Sequence, residues 1–257
     1  MKRVLIVVAL IVVVFVVAAG AIIAPAFVGL KPITDGQTIG RVRFVTDGMA
    51  SIGVVDIAPG AVALVDTGND PNGKALLAEL ARRQLGPDAV KAILITHGHS
   101  DHISAIHLFP GAQVIALGAE VPLIEGKVGP QGPLLRLFPV KPTGITVTQA
   151  LQDGQTGILG QVPVRVYAVP GHTQGSAAYL IDGVLFLGDA AETNSAGVIE
   201  GGPWVFTDSQ TQDRASLVRL DQRLLQENQD VKAIAFGHSG VLTQGLAPLN
   251  DFAQKNK

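Results

Sequence analysis

The chain opens on a run in which polar positions are missing altogether: after Lys2 and Arg3, residues 4–30 carry no charged side chain. A helix needs about 20 apolar residues to cross a bilayer, whereas the apolar part of a cleaved signal peptide covers about 7 to 15. The length predicts one N-terminal apolar membrane helix within residues 1–30, retained as an anchor; Ala24-Pro25-Ala26 offers the alternative, cleavage as a signal and secretion. Lys2 and Arg3 keep the extreme N-terminus in the cytoplasm and put the rest of the chain outside it, periplasmic or extracellular, although Lys31, Arg41 and Arg43 weaken that bias.

After residue 30 the spacing changes to short apolar runs punctuated by glycine. "RVRFVTDG", "ASIGVVDI" and "AVALVDTG" read as successive strands over residues 41–66, and Asp47-Gly48 and Pro59-Gly60 mark tight turns between them, so an antiparallel meander is expected. "GKALLAELARRQLG" then shows helical spacing through Leu76, Leu77, Leu80 and Leu85, stops at Gly86, and leads into the strand "AVKAILIT". Further strands are expected at 113–117, 145–148, 162–169, 177–181, 184–187 and 231–236. Between the last two, one long helix should run over about 209–227 with Asp208 as its cap and Leu217, Leu220, Leu224 and Leu225 inward. A short helix at 246–254 closes the chain.

Composition narrows the chemistry. The 257 residues suffice for a sizeable core. Only 16% are charged and the formal net charge is −2, so there is no basic field for nucleic acid, and none is expected as a partner. The chain has no cysteine, which excludes disulfides, thiolate ligands and a Cys nucleophile; any metal must be held by His, Asp or Glu.

Against that background, "KAILITHGHSDH" at residues 91–102 spends three of six histidines in one place. Four apolar strands run directly into side chains able to bind a metal: "KAILITH" into His97, "VYAVPGH" into His172, "VLFLGD" into Asp189 and "AIAFGH" into His238. A single His or Asp after a strand is usually a turn residue. Four of them on strand ends that meet at one sheet edge can surround a point.

The spacing His97-x-His99-x-Asp101-His102, followed in order by "GHTQGS", "FLGDA" and "FGHSG", resembles the metallo-β-lactamase-fold hydrolase superfamily over essentially everything after residue 30. The resemblance implies an α/β (α+β) fold, a four-layer αββα sandwich over residues 31–257 as catalytic domain, with the metal site at one edge. It implies one metal on His97, His99 and His172, a second on Asp101, His102 and His238, and Asp189 between them. Two zinc ions suit these N/O ligands, with iron or manganese as alternatives. The implied reaction on a small-molecule substrate is attack of a metal-bridging hydroxide on an ester, lactone, thioester or amide carbonyl, with catalytic Asp101 orienting the nucleophile. Asp66, in "LVDTG", is implied as a partner that fixes the histidine loop.

Departures narrow the branch. Antibiotic-hydrolysing members generally lack an aspartate at the position of Asp189, and quorum-signal lactonases often carry a tyrosine where this chain has Glu192. Glyoxalase II enzymes add a basic C-terminal helical region, but 19 residues follow His238 here. Two other classes stay open: a mononuclear iron dioxygenase of the persulfide-dioxygenase type on His97, His172 and Asp189, and a membrane-tethered domain whose metals only stabilise it. Residues 119–142 and 191–206 lack a periodic pattern and are expected as lids or rims, with Trp204 and Phe206 packed on the sandwich or, as the alternative, in contact with an apolar substrate, and His107 an ordinary surface or packing residue.

Overall fold

Residues 23–257, together with Val13, Val17, Gly20 and Ala21, are described in a computed structural model. The meander expected over 41–66 forms three of the strands β1 (Thr38–Ile39), β2 (Val42–Asp47), β3 (Ala50–Ala58), β4 (Ala61–Val65), β5 (Val90–Ile95), β6 (Gln113–Leu117) and β7 (Gln149–Leu151). These make one sheet in sequence order, antiparallel from β1 to β4 and parallel from β4 to β7. Next come β8 (Thr156–Leu159), β9 (Val162–Ala168), β10 (Ala177–Ile181), β11 (Val184–Phe186), a small hairpin of β12 (Ala191–Thr193) and β13 (Ile199–Gly201), and β14 (Ala233–Ala235). The second sheet has the order β14-β11-β10-β9-β8 and one parallel pair, β11 with β14.

The helices are α1 (Lys74–Arg82), the single turns α2 (Ser100–Ile103) and α3 (Val121–Ile124), then α4 (Gln210–Gln226) and α5 (Ala247–Lys255). Successive side chains of a strand point to opposite faces. In β5, Leu94 therefore joins the core between the sheets with Phe44, Val65, Val166 and Tyr179, while Ile93 and Ile95 join an outer core with Leu76 and Leu80 of α1. On the far side, Leu180, Leu185 and Ile234 pack under Leu217, Leu220 and Leu224 of α4 and Phe252 of α5. The result is a mixed α/β sandwich with helices on both outer faces. A strand buried on both faces reads as an unbroken apolar run, which is what "AILI" is.

Three expectations about the elements change, the first being that Leu225 of α4, expected inward, is 52% exposed. The strand expected at 145–148 forms instead at β7, because the preceding backbone donors turn to side chains: Val147 N donates to Glu125 Oε1 and Ile145 N to Thr143 Oγ1. Ser209, not Asp208, caps α4 by accepting from Gln212 N, while Asp208 Oδ1 accepts from Gln131 N at 2.6 Å. The N-terminal membrane helix falls mainly on residues 1–22, nearly all of which lie outside the described residues. Where the uncharged run ends, Ala24–Ala26 is a single 3-10 turn, Leu30 bridges to Asn194 and Lys31 N donates to Thr193 O, so this end is fastened to the sandwich. Among the described residues no helix is long and apolar enough to cross a membrane.

One ion cluster ties α1 to the first sheet. Glu79 Oε1 lies 3.1 Å from Arg43 Nε and 2.8 Å from Arg82 Nη2, and Arg83 reaches both Glu79 and Asp56. Burial alone would raise the Glu79 carboxyl, but the hydrogen bonds from Arg82 and Arg83 and the charges of Arg83 and Arg43 outweigh it and bring it from 4.5 to about 2. The native state thus holds fewer protons than the unfolded chain, so this contribution is complete above pH 4.5 and is lost as pH falls through about 2. Glu79→Gln should cost about 2 kcal/mol at pH 7 in denaturant unfolding, with the deficit vanishing toward pH 2. A deficit that does not change with pH would show the cluster to be packing alone.

Candidate metal centre

Parallel strands deliver their carboxyl ends to one edge, where ligands of α/β sheets collect. Beyond β4 lies Asp66, beyond β5 the loop of His97, His99, Asp101 and His102, beyond β11 Asp189 and beyond β14 His238; His172 sits on the β9–β10 loop. The edges of the two sheets are bolted together at this point: Ala177 N donates to Thr96 O at 2.8 Å, Ser51 N to Gly237 O at 2.8 Å, and Tyr179 OH to Ile95 O at 2.9 Å.

All seven residues expected to bind metal are brought together. One ligand atom each from His97, His99 and His172 lies within 4.8 Å of the others, and the same holds for His97, His102 and Asp189 and for Asp101, His102 and His238. Asp189 stands between the halves, with Oδ2 3.8 Å from His97 Nε2, 3.7 Å from His172 Nε2 and 3.1 Å from His238 Nε2, and Oδ1 3.3 Å from His102 Nε2. Asp101 Oδ2 is 3.1 Å from His238 Nε2, and its side chain is the most open of the seven.

The far nitrogen of several rings is already committed. His102 Nδ1 meets Asp66 Oδ2 at 2.8 Å, His172 Nδ1 meets Thr207 Oγ1 at 3.1 Å, and His238 Nδ1 donates to Met49 O at 2.9 Å. Such bonds set the ring orientation and leave the opposite nitrogen facing inward. Asp66 itself is buried, takes the left-handed conformation at φ 61°, and accepts from Thr96 N at 2.8 Å and Thr96 Oγ1 at 2.7 Å. Strained backbone of this kind persists where the surroundings over-determine it. Asp66→Asn would remove the charge and one acceptor while keeping the volume. Zinc affinity should fall about 10- to 100-fold in competition with a chromogenic chelator; unchanged affinity would make these bonds idle.

Buried polar atoms are nearly always paired, and leaving one unpaired costs about 1–3 kcal/mol. Here His97 Nε2, His102 Nε2 and Asp189 Oδ1 are buried with no hydrogen bond. Burial, together with the charge of His102 and the other rings, holds His97 well below the usual histidine range; burial likewise leads in bringing His99 to about 3 and His172 to about 4, so these rings are neutral and offer lone pairs. At His102 and His238 burial acts in the same direction but is overruled by the charges of Asp189 and its neighbours, which hold both well above the usual range. Burial would raise the Asp189 and Asp101 carboxyls, yet the adjacent histidines keep both below the ordinary carboxylate range. Three neutral imidazoles, anionic carboxylates and orphaned inward atoms, with His102 and His238 each releasing a proton to a bound cation, are the donor set a divalent cation of the zinc type takes.

Two carboxyls join the site from outside the expected set. Glu120, beyond β6, accepts from Gly98 N at 2.7 Å, Thr173 Oγ1 at 2.8 Å and Gly175 N at 2.9 Å, and so clamps the two histidine loops together. Glu192 is buried in the cavity wall with Oε1 unpaired, and its carboxyl is raised to about 8 by burial and then by Asp189. Glu120 was within reach of the strand-end rule, since "QVIALGAE" also runs into a carboxylate.

The cluster forms one end of a cavity of about 550 Å³ whose lining includes His99, Asp101, Asp189, Glu192 and His238. Segments 119–142 and 191–206 do supply its rim, through Leu123, Leu135 and Phe138 and through Pro203 and Phe206. Phe206 therefore faces the cavity, and Trp204, at 60% exposure, does not pack on the sandwich: the tight turn at Pro203 swings it outward. His107 is exposed and away from the cluster, as expected.

With the fold and centre in view, comparison with known proteins is direct. Residues 45–238 match the family model of the metallo-beta-lactamase superfamily. A hydroxyacylglutathione hydrolase of Shewanella sp. (strain ANA-3) is 33% identical over 146 residues, 56% of this chain and 48% of that protein. Human metallo-beta-lactamase domain-containing protein 1 is 34% identical over 125 residues, 49% of this chain and 39% of that one. The chain thus spans about half the length of the curated relatives it matches or less. Among solved structures, a B3 metallo-beta-lactamase with an active-site glutamic acid superposes with TM-score 0.66 at 17% identity, covering 89% of both chains. A subclass B3 enzyme of Bradyrhizobium japonicum gives TM-score 0.61 at 21% identity, over 82% of this chain and 79% of that one. At such identities the likeness is one of fold.

Proposed function

Because the chain belongs to the metallo-beta-lactamase superfamily, we propose that it is a dinuclear zinc hydrolase of a small-molecule ester, lactone, thioester or amide. The observation that carries this reading is the convergence of seven ligand atoms on one edge with several of them buried and unpaired. His97, His99 and His172 would hold one ion, Asp101, His102 and His238 the other, and Asp189 would serve both; iron or manganese are the alternative metals. When bound, such ions lower the pKa of a water toward neutrality and polarise a carbonyl oxygen. Asp101 opens on the cavity with its carboxylate ionised, so it is placed to orient the attacking water and accept its proton. Asp66 and Thr207 keep His102 and His172 from turning, and Glu120 keeps the loops that carry His99 and His172 at a fixed spacing.

A mononuclear iron dioxygenase is disfavoured because Asp101, His102 and His238 form a second ligand group that it would not need. A purely structural metal site is disfavoured by the cavity that reaches the cluster. The catalytic domain is tethered to a membrane outside the cytoplasm in this reading, on the strength of the uncharged residues 4–22 that precede the part of the run fastened to the sandwich. Metal analysis of the purified full chain, beside hydrolysis of a simple aryl ester, tests the centre. Two zinc ions per chain with turnover is the expected result. One iron per chain with oxygen uptake would overturn it.

A further inference from the structure

The cavity beside the metal centre has a polar end and an apolar body. At the polar end stand His99, Asp101, Asp189 and His238; the body is walled by Phe27, Leu123, Leu135, Phe138, Val140 and Phe206. Most of that wall comes from residues 123–140, which carry no regular strand and only short helical turns. Phe138 and Val140 are 62% and 53% exposed although both line the cavity. Large apolar side chains held open to solvent beside a reactive centre mark a surface waiting to be covered. Among the lining residues outside the metal centre the one cation is the exposed Lys141, so the body of the cavity has no clamp for a substrate tail rich in carboxylates or phosphates.

Phe27 adds an independent observation. It enters from the end of the uncharged N-terminal run, its ring lies 5.9 Å from that of Phe206 and it meets the His238 imidazole edge-on at 6.2 Å. The apolar wall therefore begins against a ring of the metal centre and is continuous with it. A substrate whose carbonyl sits at the cluster must extend its next atoms along this wall.

Resting on the hydrolase reading above, we infer that the substrate is an acyl compound whose carbonyl carries an apolar chain lodged in this cavity. The carbonyl lies at the polar end and the chain runs past Phe27 and Phe206 toward Leu135 and Phe138. Cleavage adds water across the acyl bond: hydroxyl goes to the carbonyl carbon, the proton goes to the departing oxygen, sulfur or nitrogen, and the products are a fatty acid and the released group. A chain of this kind is available as a free monomer or from a lipid surface.

The test is a series of p-nitrophenyl esters from acetyl to decanoyl, given to the full chain as monomers or in phosphatidylcholine vesicles, with decanoate binding measured by calorimetry in parallel. In wild type kcat/KM should rise about two- to fourfold per added methylene until the cavity is full, and decanoate should bind with a negative heat-capacity change while acetate does not. Phe138→Ser and Leu135→Ser should flatten the slope. A higher rate from vesicles would identify the lipid surface as the source, and equal rates the free monomer; both carry the proposal. A flat profile in wild type, or a slope that both serine variants leave intact, would overturn it. Decanoate binding without cleavage of any ester would sink the hydrolase reading and keep the chain site, whereas acetyl cleavage with no decanoate binding would do the reverse.

Discussion

Asp189→Ala should lower kcat/KM by about 10³-fold or more, the equivalent of several kcal/mol of lost charge stabilisation, and should reduce the bound metal below two per chain. The size follows from position. Among the described residues, Asp189 is the one whose carboxylate faces both halves of the cluster, with Oδ2 3.8 Å from His97 Nε2 and 3.7 Å from His172 Nε2 on one side and Oδ1 3.3 Å from His102 Nε2 on the other. Its removal also takes away the charge that most strongly holds His102 and His238 in their protonated range, so both rings move back toward neutrality in the unloaded protein. Asp189→Asn separates charge from volume: it keeps the shape but neither the charge nor the second acceptor, and it should lose nearly as much as alanine. Turnover of wild type and both variants on one ester, with metal content measured on the same samples, decides the matter. Activity within tenfold of wild type in both variants would remove Asp189 from the centre.

Gly237→Ala should come close to this effect without touching a ligand. Gly237 lies between β14 and His238, and a methyl group there would run into Asp189 Oδ1 and stand 2.8 Å from His102 Cε1. Neither neighbour can yield. Asp189 is buried among four histidines, and the His102 ring is locked by Asp66. Gly237 is not among the positive-φ residues, so alanine brings no backbone strain and the test isolates crowding at the centre. Zinc affinity should fall by about two orders of magnitude, in keeping with what displaced ligand geometry costs. The thermal transition of the chelator-treated protein should fall as well, because the methyl crowds buried neighbours where Ser51 N donates to Gly237 O, and overpacking costs about 1–3 kcal/mol. Unaltered zinc affinity would show that the rings and carboxylate can move apart freely.

The centre was legible in the sequence because its spacing is local and its remaining ligands each follow an apolar strand. Asp66 was legible for the same reason. Glu120 obeyed that rule but belonged to no motif, and nothing along the chain shows that its oxygens would meet Gly98, Thr173 and Gly175 from two distant loops. Sheet elements were read well where both faces are buried, as in β5, and poorly where side chains compete for backbone donors, as before β7. The hairpin of β12 and β13 went unread because AET and IEG form no apolar run, unlike the equally short VLF of β11 and AIA of β14. Trp204 and Phe206 were read together as members of one aperiodic segment, yet two positions along it sufficed to send one ring to solvent and the other to the cavity.

The position of Phe27 bears on how the molecule can be cut. A fragment begun at Lys31, where the charged residues resume, would discard the ring that packs at a tilt against Phe206 and abuts His238, and with it the turn at Ala24–Ala26. Such a fragment would keep its ligands and lose part of its pocket. Trimming intended only to improve solubility would then be recorded as a change in selectivity, with short substrates favoured at the expense of long ones.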